Sequence, residues 1–189
     1  MAEITGVLLA AGFSTRFGHN KLLHEINGRP LIAHSAAVLR PCDRIIAVVR
    51  KDDALIAVLD RLGVDCIVNT EPERGMGYSI AHAVKAAAAS NGWCLLPADM
   101  PYVKAATTQQ LVDALHQGAS IAAPFYHDRR GHPVAFSERH YDQLVTLDGD
   151  TGARSIVACN INRLTQIDTE DAGVLIDVDT QADIEQAEQ

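Results

Sequence analysis

Cysteine is scarce and scattered in this chain: Cys42, Cys66, Cys94 and Cys159 include no close pair. That spacing suits neither a zinc knuckle nor the disulfide framework of a small secreted domain, so buried reduced thiols are expected. No apolar run reaches the length of a membrane span. The opening MAEITGVLLAAGFS has neither the basic n-region nor the long apolar segment of a secretory signal, and a reducing, cytoplasmic setting with no membrane partner is expected. Positive charge is also short. Lys plus Arg number 16 against 24 Asp plus Glu, a net charge of −8, and no basic block is long enough to follow a nucleic-acid backbone, so no nucleic-acid partner is expected. Repeats, low-complexity tracts and linkers are lacking as well, and 189 residues suffice for one domain, 1–189, with its own core. An acidic protein that binds a polyanion must rely on a few local cations, donor-rich loops or a divalent metal.

What is present is an alternation. Strand-sized apolar runs at 4–10, 44–49, 64–69, 93–97 and 120–125 are separated by helix-compatible stretches at 30–40, 52–63, 79–90 and 106–118. Strands that are continuously apolar are covered on both faces, so the pattern predicts a three-layer, Rossmann-like α/β domain with a mostly parallel sheet. Such sheets place ligands beyond the carboxyl ends of their strands, and the loops after residues 10, 69 and 97 are expected to share one crevice. Past residue 125, YHDRRGHPVAF reads as a hairpin-like turn leading into a strand. The tail GVLIDVDTQADIEQAEQ reads as a strand, an acidic turn and a helix capped by Asp179 or Thr180, with Asp183 supporting the cap.

Each of the three loops carries unusual residues. In LLAAGFSTRFGHNKLL, Gly12 and Gly18 have five residues between them and Lys21 precedes Leu22, which fits neither a Walker loop nor G-x-G-x-x-G. It does fit a strand-to-loop transition where Ala10, Ala11 and Gly12 let backbone N–H groups approach an anion, beside Ser14, Arg16 and Lys21. In NTEPERGMGYS, Gly75 and Gly77 precede a helix with Ser79 in its first turn, a place for a phosphate, ribose or base edge, or for ordinary capping. In LLPADMP, Asp99 follows an apolar strand directly and is placed to hold Mg2+ against phosphates; capping of the next helix is the plainer alternative. Asp177 and Asp179 in IDVDTQAD would share one face if that segment is a strand.

Together these segments resemble a known family. LLAAGFSTRFGHNKLL matches the pattern LAAGxSxRxGxxK of sugar-nucleotide and cofactor nucleotidyltransferases. With GMGYS, LPADMP, RGHPVAF, GDTGAR and IDVDTQAD, the chain is similar in order and spacing, from about residue 5 to about 185, to the molybdenum cofactor cytidylyltransferases. The resemblance implies transfer of CMP from CTP to the terminal phosphate of molybdopterin, with release of pyrophosphate. It implies that the nucleotide is wrapped by Leu9, Ala10, Ala11, Gly12 and Ser14, with Gly77 and Ser79 nearby. Arg16 and Lys21 would act on the phosphates, and Asp99 and Asp179 would hold Mg2+. Gln181 stands where proline is common in relatives, a change expected to alter the rigidity of that turn more than its chemistry. The Ala-Ala-Gly form of the first loop resembles the cytidine branch. His132, Asp150 and Arg154 are candidates for the pterin side, although His132 also suits a simple turn and Asp150 a helix cap. A recipient molybdenum enzyme is an implied partner. A sugar phosphate or other phosphorylated metabolite as acceptor, or a non-catalytic cofactor-delivery role, remains the alternative.

Overall fold

The computed structural model describes residues 2–13, 17 and 20–187, with side chains through Glu185. After β1 (Ile4–Ala10), a two-stranded ribbon of β2 (Glu25–Ile26) and β3 (Arg29–Pro30) leads into α1 (Leu31–Val38). Then β4 (Arg44–Val49), α2 (Asp53–Arg61), β5 (Asp65–Val68), α3 (Gly75–Ala86), β6 (Gly92–Pro97) and α4 (Ala105–His116) alternate as the apolar runs predict. The second half holds β7 (Ile121–Tyr126), β8 (Arg129–Arg130), β9 (Val134–Ser137), α5 (Tyr141–Leu144), α6 (Arg154–Cys159), β10 (Leu164–Asp168) and α7 (Gln181–Ala187).

The main sheet runs β10-β7-β9-β6-β1-β4-β5, with β8 paired to β7. Strands β5, β4, β1 and β6 are mutually parallel, as are β7 and β10, while β9 enters antiparallel between β6 and β7. Side chains alternate between two cores. Leu8, Ala47 and Leu96 face a core shared with Leu31 of α1, Leu55 of α2 and Leu111 of α4. Val7, Ile46 and Leu95 face the other, with Ile80 of α3, Leu144 of α5 and Ile156 of α6. Helices therefore cover both faces, which is why the strands read as unbroken apolar runs. From β1 the chain builds outward to β4 and β5, then crosses to β6 on the other side of β1. The β1/β6 boundary is the point where strand order reverses, and a crevice opens there.

Three expectations need correction. Helix α3 starts at Gly75, so Gly75 and Gly77 lie in it and Ser79 is one turn inside. The reason is tertiary: Gly77 N donates to Gly149 O (2.7 Å) and Gly149 N to Arg74 O (3.0 Å), so the 148–150 loop supplies the partners that begin the helix. The segment 176–179 is no strand; it runs alongside the sheet without pairing, and Val178 N donates to Asp99 O (2.8 Å). The additional strand is instead β10, whose LTQID sequence is too polar and half-exposed to stand out as an apolar run. Of the cysteines, Cys42 and Cys94 are buried, Cys66 is half-buried, and Cys159 is exposed.

The chain around Asp99 is fixed from several directions. Ala98 N donates to Leu9 O (3.0 Å), and Ser35 Oγ, on the inner side of α1 and fully buried, donates to Ala98 O (2.7 Å). Ser35→Ala deprives a carbonyl of its buried partner and is expected to lower stability by about 1–3 kcal/mol, measured by urea unfolding.

Candidate active site

The site begins at Lys21. It opens a 3₁₀ turn, Lys21–Leu23, whose cap is Asn20: the Asn20 side chain accepts from Leu22 N (3.1 Å) and donates to Asp52 Oδ2 (2.7 Å). Asp52 in turn caps α2 by accepting from Leu55 N (3.0 Å). Held this way, the buried Lys21 side chain directs Nζ to Asp99 Oδ2 (2.9 Å), Asp179 Oδ1 (3.0 Å) and Val178 O (2.8 Å). Burial disfavours the ammonium, but the charges and hydrogen bonds of Asp99 and Asp179 outweigh it, and the Lys21 pKa lies above its ordinary value.

Neither aspartate is used as the plain alternatives would have it. The cap position of α4 is Lys104; its amide N–H and the Thr107 hydroxyl both donate to the buried Asp171. The turn before α7 is held by Asp183, whose carboxylate accepts from Asp179 N (2.8 Å) and Thr180 N (2.6 Å). That leaves the Asp179 carboxylate for Lys21. Asp150 caps no helix either, because α6 begins at Arg154 after Ala153.

A cavity of about 710 Å3 lies at the carboxyl ends of β1 and β6, walled by residues from all three expected loops. Leu9, Ala10, Ala11, Gly12, Lys21, Ser79, Asp99 and Asp179 all line it. A Cβ placed on Gly12 meets no atom of the described residues within 4 Å beyond its chain neighbours, and Gly12 lines the cavity. Gly77 lies behind the wall, buried, with its amide already given to Gly149. A Cβ there would come within 2.7 Å of Asp148 O, so its lack of a side chain serves loop packing. Ser79 Oγ receives a hydrogen bond from Asn69 Nδ2 (3.1 Å) and borders the cavity. Ser14 and Arg16 lie outside the described residues.

A second cavity, of about 390 Å3, shares Leu9, Met76, Pro97, Asp99 and Asp150 with the first. His132, Asp150 and Arg154 line it, so the three second-substrate candidates do converge. Arg130 lines it too and was not singled out from the sequence. The signal was available in RGHPVAF. His127 and Asp128 take left-handed φ values of 47° and 60°, forming a tight two-residue hairpin turn that pairs Arg130 with Phe125.

The Nδ1 of His132 is buried with no hydrogen-bond partner among the described residues. Burial, followed by the nearby charges of Arg130 and Arg154, lowers its pKa from 6.5 to about 4.

Residues 6–167 match the family described as the MobA-like NTP transferase domain, and the chain belongs to that family. It is 37% identical over 125 residues to the bifunctional protein GlmU of Sphingopyxis alaskensis, covering 63% of this chain but only 27% of GlmU. The purine catabolism protein PucB of Bacillus subtilis is 26% identical over 193 residues, covering 94% of this chain and 92% of PucB. Among solved structures, Rv0371c of Mycobacterium tuberculosis superposes with a TM-score of 0.85 at 28% identity over 98% of this chain and 97% of its own. Rv0371c has also been solved in complex with manganese. No described helix is long and apolar enough to cross a membrane.

Two outcomes are expected. Gly12→Val adds a side chain whose first carbon meets no described residue, so nucleoside triphosphate binding should weaken at least about tenfold in calorimetry while the unfolding midpoint barely moves. For His132 the unfolded chain takes up a proton near pH 6.5 and the folded one only near pH 4. Stability should therefore fall as pH drops through that window, and His132→Asn should remove that component in urea unfolding at pH 7 and pH 5.

Proposed function

We propose that the protein is a Mg2+-dependent cytidylyltransferase that transfers CMP from CTP to the terminal phosphate of molybdopterin and releases pyrophosphate. The observation that carries this reading is the meeting of two cavities at Asp99, with a second carboxylate and a lysine at the same point. The larger cavity takes the nucleotide and the smaller the acceptor. The cytidine preference rests on the Ala10-Ala11-Gly12 form of the first loop, and the pterin assignment on RGHPVAF and GDTGAR.

The donor set fits a divalent ion. Two carboxylates already converge on one cation, the Lys21 ammonium, and among the described residues no group of three or more His, Cys, Asp or Glu side chains is placed to enclose a metal. Two carboxylates completed by substrate phosphates and water is a usual arrangement for Mg2+. The manganese complex of Rv0371c supports a divalent ion in this fold. Asp99 and Asp179 would hold the ion, which when bound supplies charge neutralisation on the triphosphate.

In the reaction an oxygen of the acceptor phosphate forms a bond to the α-phosphorus of CTP. The bond from that phosphorus to the α–β bridging oxygen breaks, and its electrons leave with pyrophosphate. A phosphate monoester is anionic near neutrality, so the nucleophile needs no general base. What the chain must supply is alignment and positive charge. Lys21 serves twice: it neutralises the aspartate pair before substrate arrives, and with triphosphate bound it would contact the phosphates together with Arg16.

The test is pyrophosphate release with Mg2+ across CTP, GTP, ATP and UTP, with molybdopterin, a sugar phosphate or no acceptor. Release that depends on CTP and molybdopterin is expected; release with a sugar phosphate alone would reassign the acceptor, and no release with any pair would favour a delivery protein. Asp99→Ala should lower turnover by about 10²–10³-fold, and Lys21→Ala by about tenfold or more. Lys21→Met separates the two duties of the lysine. Without nucleotide it should bind Mn2+ at least about tenfold more tightly than the parent protein, read by electron paramagnetic resonance, yet turn over more slowly.

A further inference from the structure

The smaller cavity carries two guanidinium groups that the fold itself does not use. Arg130 projects from the β8 side of the hairpin and Arg154 from the start of α6. Among the described residues neither side chain has a hydrogen bond, and no carboxylate comes within ion-pair distance of either, although Asp150 and Asp177 line the same cavity. Lacking a partner is not by itself unusual, since among the described residues Arg29, Arg40, Arg139 and Arg163 have none either, while Arg44 is paired with Asp65 (2.7 Å) and Arg74 with Asp148 (2.9 Å); what sets Arg130 and Arg154 apart is that both line one cavity. Burial, and then the positive charge of Arg154, lowers the pKa of Arg130, so the two cations are near enough to feel each other.

The hairpin that carries Arg130 is held firmly. Just after Arg130, Gly131 N donates to Pro124 O (2.8 Å) and His132 N to Val174 O (2.9 Å). A Cβ on Gly131 would run into the Val174 carbonyl and come within 2.6 Å of the Val174 side chain, so this approach requires glycine. Arg129, one residue earlier on a two-residue strand, falls on the opposite face and lines neither cavity.

Two unpaired guanidiniums lining one cavity repel each other until an anion enters. Their planar forks match the oxygens of a phosphate better than any single point charge. We propose that Arg130 and Arg154 form a phosphate-binding clamp in the smaller cavity, which selects a phosphomonoester as the acceptor and holds it beside Asp99. The assignment rests on the reading of that cavity as the acceptor side. The clamp has a chemical purpose there: the acceptor phosphate must approach an anionic triphosphate, and two fixed cations offset that repulsion. A neutral alcohol acceptor would leave the arginines unpaired, so the clamp discriminates between phosphate and hydroxyl nucleophiles.

Phenyl phosphate serves as the probe and the ring protons of His132, in the same cavity, as the reporter. Titrated into the whole protein without nucleotide or metal, phenyl phosphate should shift the His132 resonances at millimolar concentration, and phenol should not. Arg130→Gln or Arg154→Gln should weaken that binding at least about tenfold, the double variant should abolish it, and Arg129→Gln should leave it unchanged, with circular dichroism confirming the fold of each. Unmoved His132 resonances in the parent protein, equal response to phenol, or undiminished binding in the double variant would each overturn the proposal. The titration needs neither CTP nor turnover, so failure of cytidylyl transfer leaves its result standing. If transfer is observed, Arg130→Gln should raise KM for the acceptor at least about tenfold and leave KM for the nucleotide unchanged.

Discussion

The ammonium of Lys21 gathers two carboxylates and a backbone carbonyl, all from 78 or more positions away in sequence, at one point. Without it, Asp99 and Asp179 would bring like charges together at the mouth of a cavity, a repulsion relieved only by a cation between them or by protonation of one carboxyl. With it, the C-terminal segment is tied to the central sheet, because the same residues that meet Lys21 also place Val178 N on Asp99 O. The site is thus preassembled around a cation that belongs to the chain. In the proposed reaction the pair would become available to a metal when Lys21 turns to the triphosphate, which would link the binding of the two.

The rest of the fold arranges approach to that point. The reversal of strand order between β1 and β6 opens the larger cavity, and the antiparallel insertion of β9 brings His132 and the hairpin arginine to the smaller one. The 148–150 loop, pinned on the glycines of α3, brings Asp150 to the lining that the two cavities share. Two substrates could then lie on either side of Asp99 without displacing protein, with positive charge supplied from both.

Much of this was legible in the sequence because its signals were local. Unbroken apolar runs indicated strands covered on both faces, and a carboxylate directly after one of them, at Asp99, indicated a strand-end site. What escaped was set by tertiary contacts. The start of α3 depends on Gly149, seventy-odd residues away, so local reading placed the helix four residues late. The extended 176–179 segment looks like a strand because Ile and Val alternate with Asp, yet its amide at Val178 is spent on Asp99 rather than on a neighbouring strand. Strand β10 was hidden by its half-exposed position beside β7, where polar residues are tolerated. Arg130 went unnoticed since an arginine beside a turn is ordinarily solvated; only the pairing set by the His127–Asp128 turn turns it toward the cavity.

The most direct test of this account is a crystal structure with Mg2+ and a CTP analogue whose α–β bridge cannot be cleaved. The account predicts the metal between Asp99 and Asp179, the triphosphate against residues 10–12, and Lys21 shifted from the carboxylates to the phosphates. A nucleotide bound elsewhere, or Lys21 still on both aspartates with the metal held by other residues, would contradict it.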